Sequence, residues 1–214
     1  MAGATLKTVE TAPDLSRLPA SQDEFEAWCA MFDGSELGRF EFLYGCVVAE
    51  PPARWPHGKV GVSLSHRLAA HVEDRGLGLV FDASQGFALP SGDTVAPDVA
   101  VVLRQTWDAA PPPTPDRFLT VVPDLVVEVL SPSTQRRDRG PKRDIYQRNG
   151  VREYWLLDAR RRAITVLVAT PTAASARNGR SQATGLHARC SSLGSPSRQP
   201  ISSRSSPERW WQLG

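Results

Sequence analysis

The spacing of apolar and polar residues predicts a short helix near the N-terminus, followed by a hairpin. The S-x-x-E box at residues 21–24 is typical of a helix N-terminus. Apolar residues then recur with helical spacing, at Phe25, Trp28, Cys29 and Phe32. This helix is predicted to end near Gly34. Aromatic and β-branched residues around Gly45, within residues 39–50, predict a hairpin or two short strands.

A longer helix and a series of strands are predicted next. Aliphatic residues recur every four positions between Gly58 and Arg75, and Gly76 is a plausible stop for that helix. Short apolar runs predict strands at residues 77–83, 86–90, 94–103, 123–130, 151–158 and 163–168. A further helix is predicted before the last two of these strands, ending at Asn149 with Gly150 as its C-cap.

The composition changes after Thr170. Residues 171–214 carry six arginines, no lysine and one glutamate, and they are rich in serine. They contain too little periodic apolar surface to offset the entropy of ordering, which predicts a disordered tail. Residues 1–170 then hold 19 basic and 22 acidic side chains, so the basic overall balance is no sign of a nucleic-acid-binding domain. We therefore expect an N-terminal extension (1–20), one folded domain (21–170) and the tail (171–214).

Cysteine usage and the absence of long apolar runs indicate a cytoplasmic protein without a membrane segment. The three cysteines have no C-x-x-C spacing, so neither a disulfide framework nor a zinc knuckle is indicated. The N-terminus lacks the apolar region of a secretory signal. No apolar stretch approaches the roughly 18 residues that a membrane span needs.

Two acids interrupt runs that are otherwise apolar. Asp98 lies in VAPDVAVVL and Glu128 in PDLVVEVL. A carboxylate in such a strand faces either solvent or a polar pocket, and burial without a partner costs several kcal/mol. A metal ion or a lysine is the usual compensation. Two acids on neighbouring strands suit Mg²⁺, although either one could simply point to water from an edge strand.

The order of several motifs resembles the Uma2 family, a group of endonucleases with the PD-(D/E)XK restriction-endonuclease-like fold. The resemblance covers about residues 40–168. It is carried by the segments RFEFLYGCVVAEPP, PHGKV, GFALPSGDTVAPDVAVV, PDLVVEVLSPST and KRDIYQRNGVREYWLLD. It implies an α/β (α+β) fold, with a mixed central sheet flanked by helices and preceded by an N-terminal helix and hairpin.

The resemblance also implies a set of site residues. Asp98 matches the first acid of the motif and Glu128 the second, and both would hold Mg²⁺ or Mn²⁺. The lysine that ordinarily follows two positions after the second acid is replaced by Leu130. Lys142, on the next helix, aligns with the displaced lysine of the family, although it could instead be a solvated lysine in a charged run. Glu41 matches a further family acid that could be a third metal ligand or position water, or it could lie on a half-exposed strand.

Two further features have competing interpretations. His57 matches a His-Gly pair of the family, but it could equally cap the helix that follows. A basic cluster after Glu128 is the best candidate for contacts with phosphate, although it could be no more than a solvated helix start. Its members are Arg136, Arg137, Arg139, Lys142 and Arg143.

These observations favour a metal-dependent endonuclease that hydrolyses DNA phosphodiester bonds. DNA is then the expected partner, and a homodimer would suit the cutting of two strands. An inactive module that retains the fold and binds DNA or protein is the alternative. The tail, which stands where the family has a closing apolar segment, would also suit an unstable gene remnant.

Overall fold

The computed structural model describes residues 17–31, 39–50, 52–169 and 203–204. Most of the predicted N-terminal extension lies outside these ranges. So does the predicted tail, apart from the backbone of Ser203–Arg204. The predicted division into extension, domain and tail therefore stays a prediction.

Five α-helices and ten strands make up the described ranges. The helices are α1 (Gln22–Ala30), α2 (His57–Val72), α3 (Arg104–Ala109), α4 (Gln135–Arg137) and α5 (Arg143–Arg148). A π-helical turn, Asp138–Lys142, joins α4 to α5. The strands are β1 (Arg39–Leu43), β2 (Cys46–Glu50), β3 (Gly78–Asp82), β4 (Phe87–Ala88), β5 (Thr94–Val95), β6 (Val99–Leu103), β7 (Leu125–Val129), β8 (Glu153–Asp158), β9 (Ala163–Val168) and β10 (Ser203–Arg204). None of the helices in this part of the chain is long and apolar enough to cross a membrane.

The strands form two sheets. The larger has six strands in the order β10-β9-β8-β7-β6-β3, and the smaller has four in the order β2-β1-β5-β4. Within the larger sheet β7 and β8 are parallel and the other pairs are antiparallel. The expectation of a mixed central sheet with helices, preceded by a helix and a hairpin, is confirmed.

Two apolar clusters pack against alternate residues of the central strands. Val99 of β6 and Val127 of β7 belong to a cluster that includes the apolar side of α2. Ala100 and Val126, one position along each strand, belong to a second cluster with Tyr146 of α5. This alternation is the ordinary period of two in a strand. It separates the α2 side of the sheet from the α5 side.

The predicted strand over 94–103 is wrong in one respect, because it is two strands in different sheets. β5 pairs with β1 and β4, whereas β6 pairs with β3 and β7. Ala96, Pro97 and Asp98 connect them, and Pro97 has no N–H to contribute to a ladder. Asp98 therefore lies immediately before β6 and not within a strand.

The hairpin is closed by a two-residue turn. Tyr44 and Gly45 both have positive φ, 53° and 77°, which is the type I′ geometry that matches the twist of paired strands. The turn sets Leu43 opposite Cys46 and, at the far end of the hairpin, Arg39 opposite Glu50. That register brings two oppositely charged side chains together across the open end of the hairpin.

Candidate active site

The register of β6 and β7 brings the two predicted acids together. Val99 pairs with Val127 at the end of this antiparallel ladder, and Asp98 and Glu128 are the next residues along the two chains. Burial and, among the nearby charges, that of Asp98 raise the pKa of Glu128, so the two carboxyl groups interact. The backbone N–H of Val129 also donates to Asp98 Oδ2, at 2.8 Å. Both carboxyl groups are buried.

Lys142 is fully buried beside Glu128, so it is not a solvated lysine of a charged run. Its Nζ lies 2.5 Å from Glu128 Oε1 and 2.8 Å from Glu41 Oε1. A buried ammonium is stable only when it is paired and hydrogen-bonded, and here two carboxylates provide that. The structure thus gathers three of the predicted site residues into one ion cluster.

A π-helical turn directs Lys142 into this cluster. The turn contains Gly140 and Pro141, and the chain then continues into α5. A π turn adds a residue to the helical repeat, and such turns are common at functional sites. Tyr146, four residues after Lys142, lies on the same helical side and donates its hydroxyl to Glu128 Oε1 at 2.7 Å. Two consecutive turns of helix therefore contact one carboxylate oxygen.

Glu41, from β1, lies on the far side of Lys142. Its Oε1 accepts from the backbone N–H of Ala96 at 2.9 Å, which ties it to the connection that ends at Asp98. Its Oε2 is buried and has no hydrogen-bond partner in the described part of the chain. The side chain is fully buried and so does not lie on a half-exposed strand face. Glu41 is thus a second counter-ion of Lys142 with one oxygen free.

His57 contacts Asp98, which decides between its two interpretations. It is the first residue of α2, and no side chain caps that end of the helix. Its Nε2 instead lies 3.1 Å from Asp98 Oδ2. This hydrogen bond to the carboxylate raises the pKa of His57 above its usual value. His57 therefore supports the first acid of the pair.

A second ion cluster holds Asp98 from the other side, and the sequence analysis did not predict it. Glu50 Oε2 accepts from Arg39 Nε at 3.0 Å, and Glu50 Oε1 contacts the Arg137 guanidinium. The same Arg39 lies 3.4 Å from Asp98 Oδ1. The one sequence signal for this cluster was the opposite charge of Arg39 and Glu50 at equal distances from the hairpin turn.

The two acids have opposite protonation tendencies. Burial raises the pKa of Glu128 well above its usual value, and the attraction of Lys142 compensates only in part. Burial also acts on Asp98, but the His57 hydrogen bond and the nearby Arg39 outweigh it and lower its pKa. For Lys142, burial opposes the charged form, yet Glu128 and Glu41 raise its pKa above the usual value. Asp98 is thus held in its ionised form, whereas Glu128 needs a nearby cation to be ionised.

The oxygen atoms of this site fit a hard divalent cation. No three histidine, cysteine or acidic side chains form a preassembled metal cluster within the described residues. Mg²⁺ commonly takes only one or two carboxylates and completes its shell with water and phosphate oxygens. The hydrogen bonds that Glu128 accepts both go to Oε1, and Glu41 has a buried oxygen without a partner. Asp98, Glu128 and Glu41 therefore offer the donor chemistry that such an ion needs.

The predicted basic cluster is only partly available to a phosphate. Lys142 is buried between acids, Arg137 contacts Glu50, and Arg143 lies 3.4 Å from Asp144. The remaining members, Arg136 and Arg139, are exposed. Arg137 stabilises the site internally, so a substitution there would disturb Glu50 as well as any phosphate contact.

Asp138, which lies in the π turn, is expected to reduce stability at neutral pH. Burial raises its pKa to about 6, above the value near 3.8 that it has when unfolded. Ionisation of the folded form therefore lowers stability as pH rises between these values, by up to about 2–3 kcal/mol. We expect Asp138→Asn to match the wild type near pH 4 and to be more stable near pH 7.5, in urea unfolding. A variant less stable at pH 7.5 would show that Asp138 is held ionised by its cationic neighbours.

Comparisons with known proteins agree with this architecture. The family model described as "Uma2: Putative restriction endonuclease" matches residues 22–183. Among solved structures, the chain is similar to a "putative nuclease belonging to DUF820" from Anabaena variabilis ATCC 29413. The two chains are 16% identical with a TM-score of 0.58, and the match covers 72% of this chain and 82% of the other. No curated protein matches. Because the family model spans well over half of its residues, this chain belongs to the Uma2 family, as its motifs predicted.

Proposed function

We propose that this protein is a metal-dependent endonuclease that hydrolyses DNA phosphodiester bonds. The observation that carries the proposal is the position of Lys142, whose Nζ lies 2.5 Å from Glu128, while Asp98 directly precedes Val99, which pairs with the neighbour of Glu128, Val127. Two carboxylates can hold a metal ion, and a lysine beside them can stabilise the charge that develops on a phosphate. This combination suits the hydrolysis of a phosphodiester bond. Family membership supports a nuclease, and the site chemistry supports dependence on Mg²⁺ or Mn²⁺.

Asp98 and Glu128 are the residues that would hold the metal ion, with Glu41 as a further oxygen donor. The ion, when bound, activates water and neutralises charge on the phosphate. Asp98 is suited to this because the Val129 N–H and His57 both contact its Oδ2, which fixes the orientation of the carboxylate. The pKa of Asp98 is lowered, so it is ionised at neutral pH.

Lys142 would act by its charge and not as a base. Its pKa is raised despite burial, because Glu128 and Glu41 both attract the ammonium, so the nitrogen keeps its proton. A fixed cation in a site of low dielectric stabilises negative charge that develops on a phosphate. Glu41, which holds Lys142 and the Ala96 N–H together, is a positioning residue for this cation.

An inactive binding module is the second candidate, and one observation favours it. Lys142 already forms an ion pair with both Glu128 and Glu41. A fold with this ion cluster could therefore persist as a stable scaffold without turnover.

Metal-dependent nicking of supercoiled plasmid DNA tests the proposal. The full-length protein is expected to nick in Mg²⁺ or Mn²⁺ and to be inactive in EDTA. The double variant Asp98→Asn/Glu128→Gln is expected to have no activity. Asp108→Asn changes an exposed acid on α3 and serves as the matched control with wild-type activity. Nicking that persists in the double variant would refute the proposal, and DNA binding without nicking by the wild type would favour the inactive module.

A further inference from the structure

Trp55 is exposed to an unusual degree for its size. Its side chain is 83% accessible, the largest value among the exposed large hydrophobic residues of the described chain. The other described tryptophans are buried or half-buried. Burial of a tryptophan is worth several kcal/mol, so an exposed indole on a folded domain is a candidate contact for a partner.

A tight turn holds Trp55 two residues before His57 of the candidate active site. The backbone N–H of His57 donates to the carbonyl of Arg54 at 2.8 Å, which makes residues 54–57 one turn with Trp55 at its tip. His57 itself reaches Asp98, at 3.1 Å. The exposed indole is therefore two residues from a side chain that contacts a candidate metal ligand.

Exposed cations lie on two chain segments that contact the candidate active site. Arg54 and Lys59 flank Trp55 and are both exposed, and residues 52–61 contain no acid. On the other side of the Glu50 cluster, exposed Arg136 and Arg139 stand beside the Arg137 that contacts Glu50. The acid in that second segment, Asp138, is buried. Both exposed segments thus present positive charge without exposed negative charge, which is complementary to a nucleic-acid backbone.

We propose that Trp55 stacks on an unpaired base of the DNA substrate while Arg54 and Lys59 contact the adjacent phosphates. The inference rests on the proposed function and specifies its substrate class, which is DNA with unpaired bases beside the cleavage site. The faces of a base inside a duplex are covered by its neighbours, so an indole stacks most readily on an unpaired base, and such stacking tolerates any sequence because every base has a π face. Arginine and lysine beside an aromatic side chain are the usual combination on surfaces that bind single strands.

The test measures binding in EDTA, so that cleavage does not interfere. Fluorescence anisotropy compares full-length wild type, Trp55→Ala and Trp55→Phe on a labelled single-stranded oligonucleotide and on the matching duplex. Trp55→Ala is expected to weaken binding to the single strand by about fivefold or more, with a smaller effect on the duplex. Trp55→Phe keeps an aromatic face and is expected to recover most of the affinity. Val62→Ala, which truncates an exposed apolar residue of α2, is the control without effect.

The outcomes separate this inference from the proposed function. If the wild type binds and nicks DNA but Trp55→Ala binds as tightly as wild type, the stacking role is refuted and the nuclease remains. Equal losses on single strand and duplex, or no recovery in Trp55→Phe, would also refute base stacking. If Trp55→Ala instead converts a dimer to a monomer in sedimentation with DNA affinity unchanged, the indole is a contact between copies. A wild type that neither binds nor nicks DNA refutes both proposals, and one that nicks DNA but does not bind the single strand in EDTA refutes the stacking role alone.

Discussion

Lys142→Met is expected to abolish nicking and to lower the free energy of unfolding by about 3–5 kcal/mol. The substitution keeps a long side chain in a fully buried position but removes the positive charge that Glu128 and Glu41 share. Two buried carboxylates would then lack their cation, and burial has already raised the pKa of Glu128 well above its usual value. Chemical denaturation near pH 8 and plasmid nicking in Mg²⁺ measure the two effects.

Two further variants control this prediction. Combining Lys142→Met with Glu128→Gln also removes one of the two carboxylates that have lost their cation. The double variant is therefore expected to recover part of the stability and none of the activity. Lys59→Met removes an exposed lysine and is expected to change stability by no more than about 0.5 kcal/mol. The deficit of the single Lys142 variant should also shrink as pH falls, because protonation discharges the carboxylates. A fully stable Lys142→Met protein would show that the cluster is not an ion cluster in solution.

The local elements of this fold could be predicted from the sequence where a local signal was strong. Ser21 caps α1 by accepting from the N–H of Glu24, as the capping box indicates. The two strands β8 and β9 have the alternating and β-branched residues that place them within residues 151–158 and 163–168. α3 was not predicted, because its six residues are too few for a helical period to emerge. Local signals therefore identified most elements but not α3.

The sequence motifs could predict individual residues of the candidate site but not the contacts between them. Asp98, Glu128 and Lys142 were nominated by residue type and by family resemblance, and their roles remain proposals. The contacts around them join residues far apart in sequence, such as Arg39 with Asp98 and Arg137 with Glu50, separated by 59 and 87 positions. No periodicity encodes such pairs, because they depend on how the hairpin packs against the central sheet. The geometry of Lys142 likewise depends on a π turn that a Gly-Pro pair does not reveal.

Each of the two candidate metal-binding acids is paired with different cations. Lys142 is the cation for Glu128, whereas Arg39 and His57 are the cationic partners of Asp98. Glu50 in turn balances Arg39 and Arg137, so the charges nearly cancel on each side. This arrangement explains how eight buried or half-buried ionisable groups from the hairpin, α2, the connection before β6, β7, α4 and the π turn can coexist in one small region. It also means that neutralising Asp98 and neutralising Glu128 should change the free energy of unfolding by different amounts.

Asp98→Asn and Glu128→Gln are therefore expected to abolish nicking alike and to differ in stability. Asp98 is anchored as an anion by the Val129 N–H, His57 and Arg39, so its neutral replacement should cost about 2–3 kcal/mol at neutral pH. Glu128 has a raised pKa, and Lys142 keeps Glu41 as a partner when Glu128 is neutralised. Its replacement should therefore leave stability at neutral pH equal to or higher than that of the wild type. Guanidinium unfolding of metal-free protein measures both.

The pH dependence of the two variants should have opposite signs. The pKa of Asp98 is lowered by folding, so its contribution to stability is present above about pH 4 and is lost as pH falls through the folded value. The deficit of Asp98→Asn should therefore be largest near neutral pH and vanish in acid. The pKa of Glu128 is raised, so the wild type loses stability as pH rises from the unfolded pKa of this carboxyl group towards the folded one. The stability of Glu128→Gln relative to the wild type should therefore increase with rising pH. Parallel pH profiles of stability for the two variants would contradict the assignment of Asp98 as an anchored anion and Glu128 as an acid that needs a cation to ionise.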